Sequence, residues 1–145
     1  MKKIALLFFI MLLPTFIGAK STRVFVGNVW YNINNARNNE AWVNANPDGI
    51  EKYAGHVIVP ATFEYEGTTY TVRGISGSAF FQCPDLLSVT VGGSTISIQK
   101  KAFAECPNLK SVVIPDSILY LGDYAFFGCT NLEYITPPTY LTNWG

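Results

Sequence analysis

The chain has 145 residues, 49% hydrophobic and 14% charged, a balance that excludes a disordered tail or a coiled coil. Ten Lys and Arg offset ten Asp and Glu, so no basic excess exists to neutralise a phosphate backbone, which argues against nucleic acid as a partner. One His and three Cys leave little for metal or nucleophilic chemistry, and an odd cysteine count cannot pair fully within one chain.

Residues 1–19 read as a cleaved secretory signal peptide. Lys2 and Lys3 form a positive start, Ile4 to Leu13 is an unbroken apolar run, and Gly18-Ala19 supplies the small residues of a cleavage site. The run is too short to cross roughly 30 Å of hydrocarbon as a helix, so no membrane span is expected after cleavage.

Residues 20–73 read as β-strands joined by turns. Trp30 to Ile33 and Ala41 to Val43 flank the polar stretch Asn34 to Glu40, which marks a loop. Asn46-Pro47-Asp48-Gly49 is a turn signal. Phe63-Glu64-Tyr65 and Thr69 to Val72 flank Glu66-Gly67, as in a hairpin. In that reading Glu64 and Glu66 share one strand face. The pair lacks the cleft and further oxygens that a glycosidase or calcium site needs, so a solvated face is expected.

From Ile75 onward the chain repeats with a period of 23. The three repeats are Ile75 to Ser97, Ile98 to Tyr120 and Leu121 to Asn143, and they align without a gap. Four columns are invariant: Ala79/Ala102/Ala125, Phe80/Phe103/Phe126, Cys83/Cys106/Cys129 and Leu86/Leu109/Leu132. Two more stay branched and aliphatic, Ile75/Ile98/Leu121 and Val89/Val112/Ile135. A fixed period of roughly 20–29 residues with Leu-x-x-Val-x-Val/Ile spacing is the signature of a leucine-rich-repeat solenoid. Alternation in Leu109 to Ile114 predicts a short strand in each repeat, with Val89/Val112/Ile135 and Val91/Ile114/Pro137 facing inward. The Ala-Phe-x-x-Cys-x-x-Leu segment predicts a helical or 3₁₀ turn on the opposite side, stopped near Pro84, Pro107 and Thr130.

The pattern I-x-x-x-A-F-x-x-C-x-x-L-x-x-V-x-I-P, from Ile98 to Pro115, resembles the BspA-like leucine-rich-repeat family of bacterial surface and secreted proteins. The stretch HVIVPATFEYEGTTYTVRGI, His56 to Ile75, is similar to the β-rich N-terminal cap that often precedes these repeats. The resemblance implies a solenoid of short parallel strands with an N-terminal cap over 20–73 and three coils over 74–145. It also implies extracellular protein recognition, such as adhesion to host matrix or cell-surface proteins. Two departures stand out: Gly92-Gly93 replaces the usual Pro and polar residue, and three coils are fewer than is usual, with no anchoring module expected after them.

The cysteine column carries two open readings. Free Cys packs as a small hydrophobe, which gives a buried ladder. Stacked coils also lie near the Cα separation a disulfide tolerates, roughly 4.4–6.8 Å. Metal is disfavoured because tetrahedral zinc wants four ligands in close pairs. His56 sits in a strand pattern with no Ser or Cys nucleophile nearby in sequence, and no catalytic motif occurs, so neither enzymatic activity nor a cofactor is expected. The outward strand positions Ser88, Thr90, Ser111, Val113, Tyr134 and Thr136 form the expected partner-binding surface, with Tyr134 as its aromatic anchor. The alternative is a structural or incomplete unit that self-associates through its last coil, because Thr139 to Gly145 lacks an obvious polar cap.

Overall fold

A computed structural model describes residues 21–34, 38–136 and 138–141. The signal peptide over 1–19, Pro137 in its inward column and the last four residues lie outside the described residues. The strands are β1 (Thr22–Val26), β2 (Val29–Asn34), β3 (Glu40–Asn44), β4 (Gly55–Val59), β5 (Thr62–Tyr65), β6 (Thr68–Ile75), β7 (Leu86–Val91), β8 (Ser97–Ile98), β9 (Ser111–Val113), β10 (Tyr120–Leu121) and β11 (Tyr134–Ile135).

Two-residue loops set the first hairpins. Gly27 and Asn28 join β1 to β2, and Glu66 and Gly67 join β5 to β6, all with positive φ. This backbone matches the right-handed twist of the flanking strands. It also corrects the carboxylate expectation. Glu64 lies on β5 and accepts a hydrogen bond from the Thr69 hydroxyl at 2.9 Å, whereas Glu66 stands in the turn at φ 48°, where strand alternation no longer applies. The Asn46 to Gly49 turn closes as expected, with the Gly49 amide donating to the Asn46 carbonyl.

Two sheets organise the strands. The first runs β1-β2-β3-β6-β8-β10, with β5 also paired to β6; its β1–β2, β2–β3 and β5–β6 contacts are antiparallel and the rest parallel. The second, β11-β9-β7-β4, is parallel throughout. Its register pairs Val89 with Val112 and Val112 with Ile135, residues that stand one repeat apart in sequence.

The segment between the sheets differs from the expected helical turn: no helix occurs among the described residues. Each Ala-Phe segment is a pair of overlapping turns, with the Ala79 amide donating to Ser76 and the Phe81 amide to Ser78. The intervening amides of Ser78, Phe80 and Gln82 donate instead to the carbonyls of Lys100, Ala102 and Ala104 in the next repeat. Lys101, Phe103 and Glu105 repeat this toward Asp123, Ala125 and Phe127. An amide that serves the neighbouring repeat cannot also close a turn of helix. Positive φ at Ser78, Gln82, Lys101, Glu105, Tyr124 and Gly128 alternates the amides between the two tasks.

Between these layers lies one continuous core. Phe80 and Phe103 stack with centroids 4.9 Å apart, and Phe103 and Phe126 at 5.2 Å, with ring planes within 9° of parallel. Tyr53 extends the column at 4.6 Å from Phe80, and its hydroxyl donates to the Asn44 carbonyl while accepting the Trp30 amide. Burial fades along the chain: Phe80, Leu86, Phe103 and Leu109 are inaccessible, whereas Phe126, Cys129, Leu132 and Ile135 are only partly covered.

Gly92 explains the first departure from the repeat pattern. A Cβ there would stand 2.4 Å from the Ala61 amide nitrogen and 2.6 Å from the Pro60 carbonyl carbon. The chain entering the β5–β6 hairpin crosses so close to repeat one that only glycine fits. Ser94 fastens the same crossing, its hydroxyl donating to the Ala61 and Val72 carbonyls.

Candidate binding face

The parallel register of the second sheet gathers the outward residues into two columns. Ser88, Ser111 and Tyr134 stand side by side, as do Thr90 and Val113, with Thr136 following β11. Strand β4 adds a fourth member to each, because His56 pairs with Ser88 and Ile58 with Thr90. Sequence reading missed this because the β5–β6 hairpin is inserted between β4 and β7, so their spacing is not 23. A signal was present: Val57-x-Val59-Pro60 repeats the Val112-x-Ile114-Pro115 pattern.

The face carries Ile58 and Tyr134 on its two edge strands, and Ser88, Thr90 and Ser111 with Val113 on its two central ones. Ile58 is 68% exposed, Tyr134 57% and Val113 39%, while Ser88 and Ser111 are half-buried. Thr136 is occupied: its oxygen accepts the Ile114 amide at 2.6 Å and its hydroxyl donates to the Ile114 carbonyl at 3.1 Å, which ties the third repeat to the second.

The reading of His56 as remote from a nucleophile is corrected by the fold. Its Nδ1 lies 2.6 Å from the Ser88 Oγ, because parallel pairing brings together residues 32 apart in sequence. No described hydrogen bond orients the other ring nitrogen, and the pair is exposed rather than enclosed. Catalytic serine sites need an oriented base and donors for the developing charge.

The cysteine column is a ladder of thiols. Cys83, Cys106 and Cys129 are free. The Cys106 thiol donates to the Phe80 carbonyl at 2.9 Å and the Cys129 thiol to the Phe103 carbonyl at 3.0 Å, each reaching back to the preceding repeat. The Cys129 thiol lowers the Cys106 pKa, but the Cys83 thiol and burial outweigh it and push Cys106 up to about 11. Cys129 is raised further, by the Cys106 thiol and then by burial. Cys106 and Cys129 stay protonated donors, unsuited to nucleophilic attack at neutral pH. Among the described residues no group of three His, Cys, Asp or Glu is placed to hold a metal ion, and no helix is long and apolar enough to cross a membrane.

Short parallel strands stacked at a 23-residue period, with an aromatic column and a thiol ladder behind them, define a leucine-rich-repeat protein. The family model described as BspA type leucine rich repeat region (6 copies) matches residues 63–145, more than half of the chain. The chain belongs to that family. A search of curated proteins found no match.

Solved structures share the fold. A leucine-rich repeat protein from Bacteroides capillosus superposes with a TM-score of 0.63 at 25% identity, covering 86% of this chain and 96% of that one. The T. pallidum leucine rich repeat protein gives 0.64 at 24% identity, over 77% of this chain and 48% of that one. A leucine rich cell surface protein from Faecalibacterium prausnitzii gives 0.63 at 23% identity, over 80% of this chain and 30% of that one. This chain therefore spans less than half the length of the last two. Family membership points to a protein-interaction module, in a class typically built as non-enzymatic scaffolds.

Proposed function

We propose that the chain is a secreted or cell-surface recognition module that binds another protein through the outward face of β4, β7, β9 and β11. The observation that carries this reading is the register, which aligns Ser88, Ser111 and Tyr134 in one column and Thr90 and Val113 in the next. Thr136 belongs to the face by position and holds its edge, with its hydroxyl committed to Ile114. Residues 20–73 act as the cap of the three coils over 74–145, covering the apolar cross-section of repeat one while lending β4 to the repeat sheet as its end strand. Residues 1–19 direct export, and the resemblance to the Faecalibacterium prausnitzii leucine rich cell surface protein supports the same location. The test is a binding screen of the secreted chain against matrix and cell-surface proteins. Changing Thr90, Val113 and Tyr134 together to Ala should abolish a captured interaction while leaving the circular dichroism unchanged. Unaltered binding by that variant would overturn the assignment of the face.

A second reading is self-association through the last repeat. It is favoured by the exposure of Tyr124 and Phe127 there, 57% and 60%, which pack edge to face beside the half-covered Phe126, and by the exposed Leu119 and Tyr120 that end repeat two. Such a patch marks an association surface. Light scattering decides it: a monomer at micromolar concentration removes the reading.

A further inference from the structure

Beside β4, at the end of its sheet, the β1–β2 hairpin, the loop leading to Tyr53 and the strand itself enclose a half-open cavity of about 390 Å³. This volume falls within the roughly 300–1,000 Å³ of small-molecule sites. Ser88, Thr90, Ser111, Val113, Tyr134 and Thr136 do not line it, whereas His56 and Ile58 line both the cavity and the β4 end of the partner face, so the two surfaces adjoin.

One wall is aromatic. Phe25 and Trp30 pack with ring centroids 5.1 Å apart, and Phe25 remains 53% exposed. The remaining rim is polar and mixed in kind: Asn28 offers donors and an acceptor, Glu51 only acceptors, Lys52 only donors, and His56 either. Neither Glu51 nor Lys52 takes part in a described ion pair, and the Lys52 ammonium makes only a 3.4 Å contact to the Phe81 carbonyl. The floor is fixed, because the buried Tyr53 hydroxyl bridges the Trp30 amide and the Asn44 carbonyl and its ring packs on Phe80. A site held open in advance spends less free energy on ordering when it binds.

These features select among ligand classes. An apolar side chain would strip water from Asn28, Glu51 and Lys52 without replacing their hydrogen bonds, which is costly. An ion gains little, because one carboxylate and one ammonium cancel at the rim. A pyranose meets both demands. Its C–H face lies flat on an aromatic wall, and each hydroxyl can both donate and accept. We propose that this cavity binds a neutral sugar ring, at the end of a free or protein-linked glycan, with Phe25 and Trp30 as the platform and Glu51, Lys52 and Asn28 as hydroxyl partners. The site adjoins the protein-binding face at its β4 edge and extends that surface past His56 and Ile58.

Saturation-transfer NMR on the intact secreted chain tests this, with lactose, maltose and chitobiose as probes and N-acetylneuraminic acid as a charged control. At least one neutral disaccharide should receive saturation at millimolar concentration. Phe25→Ala and Glu51→Gln should each weaken it about tenfold or more. Both positions are exposed, so thermal midpoints should hold, and Tyr134→Ala, on β11 at the far edge of the sheet from β4, should bind normally. No transfer to any neutral sugar, or unchanged affinity in both variants, overturns the proposal. So does preferential binding of the charged sugar. A cavity that responds to N-acetylphenylalaninamide but not to sugars is a peptide subsite, which overturns it as well.

Discussion

Truncating the central ring of the aromatic column should cost far more than truncating the last. Phe103 is inaccessible and stacked on both sides, at 4.9 Å from Phe80 and 5.2 Å from Phe126. Removing a buried Phe to Ala costs about 3–5 kcal/mol, including the cavity left behind. Each aromatic pair lost contributes about 0.5–1.5 kcal/mol beyond area, so Phe103→Ala should fall near the top of that range, about 5 kcal/mol. Phe126 has one stacked partner and is only partly covered, so water can fill the space its ring vacates. Its truncation should cost about half as much, roughly 2 kcal/mol. With a urea slope of about 2 kcal/mol per molar, the midpoints should fall by roughly 2.5 M and 1 M. A double-mutant cycle adds a sharper demand: Phe103 and Phe126 should couple, while Phe80 and Phe126, separated by a ring, should add nearly independently. Equal losses for Phe103 and Phe126, or strong coupling between Phe80 and Phe126, would refute the column as the unit of stability.

Gly92→Ala should destabilise by about 1–3 kcal/mol or more, because the wall it meets is the backbone of Pro60 and Ala61, whereas Gly93→Ala, in open space, should be neutral in the same thermal melts. Thr95→Val should stabilise by about 1–2 kcal/mol, since the inaccessible Thr95 hydroxyl has no partner and the equivalent position in repeat two is the buried Ile118; an unchanged urea midpoint would mean the hydroxyl is satisfied in solution. Asp116 accepts the Thr139 amide at 2.9 Å and hydroxyl at 2.8 Å, and these bonds hold its carboxyl below the ordinary range. A depressed carboxylate contributes above its unfolded value of about 3.9 and loses that contribution as pH falls through the folded value. The Thr139 amide resonance should therefore shift on acidification from about pH 5 to pH 2, and an Asp116→Asn chain should show no such titration.

The repeats were legible because each column answers a local demand. Phe80, Phe103 and Phe126 recur at one spacing since each fills the same space one layer on, and no contact outside the repeat is needed to see it. The same logic exposed the face, because period-two alternation around Val112 places Ser111 and Val113 outward whatever the partner strand is. It failed where hydrogen bonding leaves the local chain. The Ala-Phe segment has helical spacing, yet its amides serve the adjacent repeat, so the segment becomes a pair of turns. Thr136 reads as an outward hydroxyl, and only its distance to Ile114 shows that it is engaged.

The sequence by itself determined the period, the aromatic and thiol columns, the Asn46 to Gly49 turn, the Glu66-Gly67 hairpin and the family, because these follow from residue type at short separation. Tertiary structure decided that β4, whose Val-x-Val-Pro pattern only hinted at it, belongs to the repeat sheet, that Ser88 meets His56, that Gly92 answers to Pro60 and Ala61, and that Phe25 and Trp30 share a cavity with Glu51 and Lys52. The first three share one physical reason. An inserted hairpin breaks the period, and contacts across it depend on how closely two backbones approach, a quantity that side-chain periodicity does not encode.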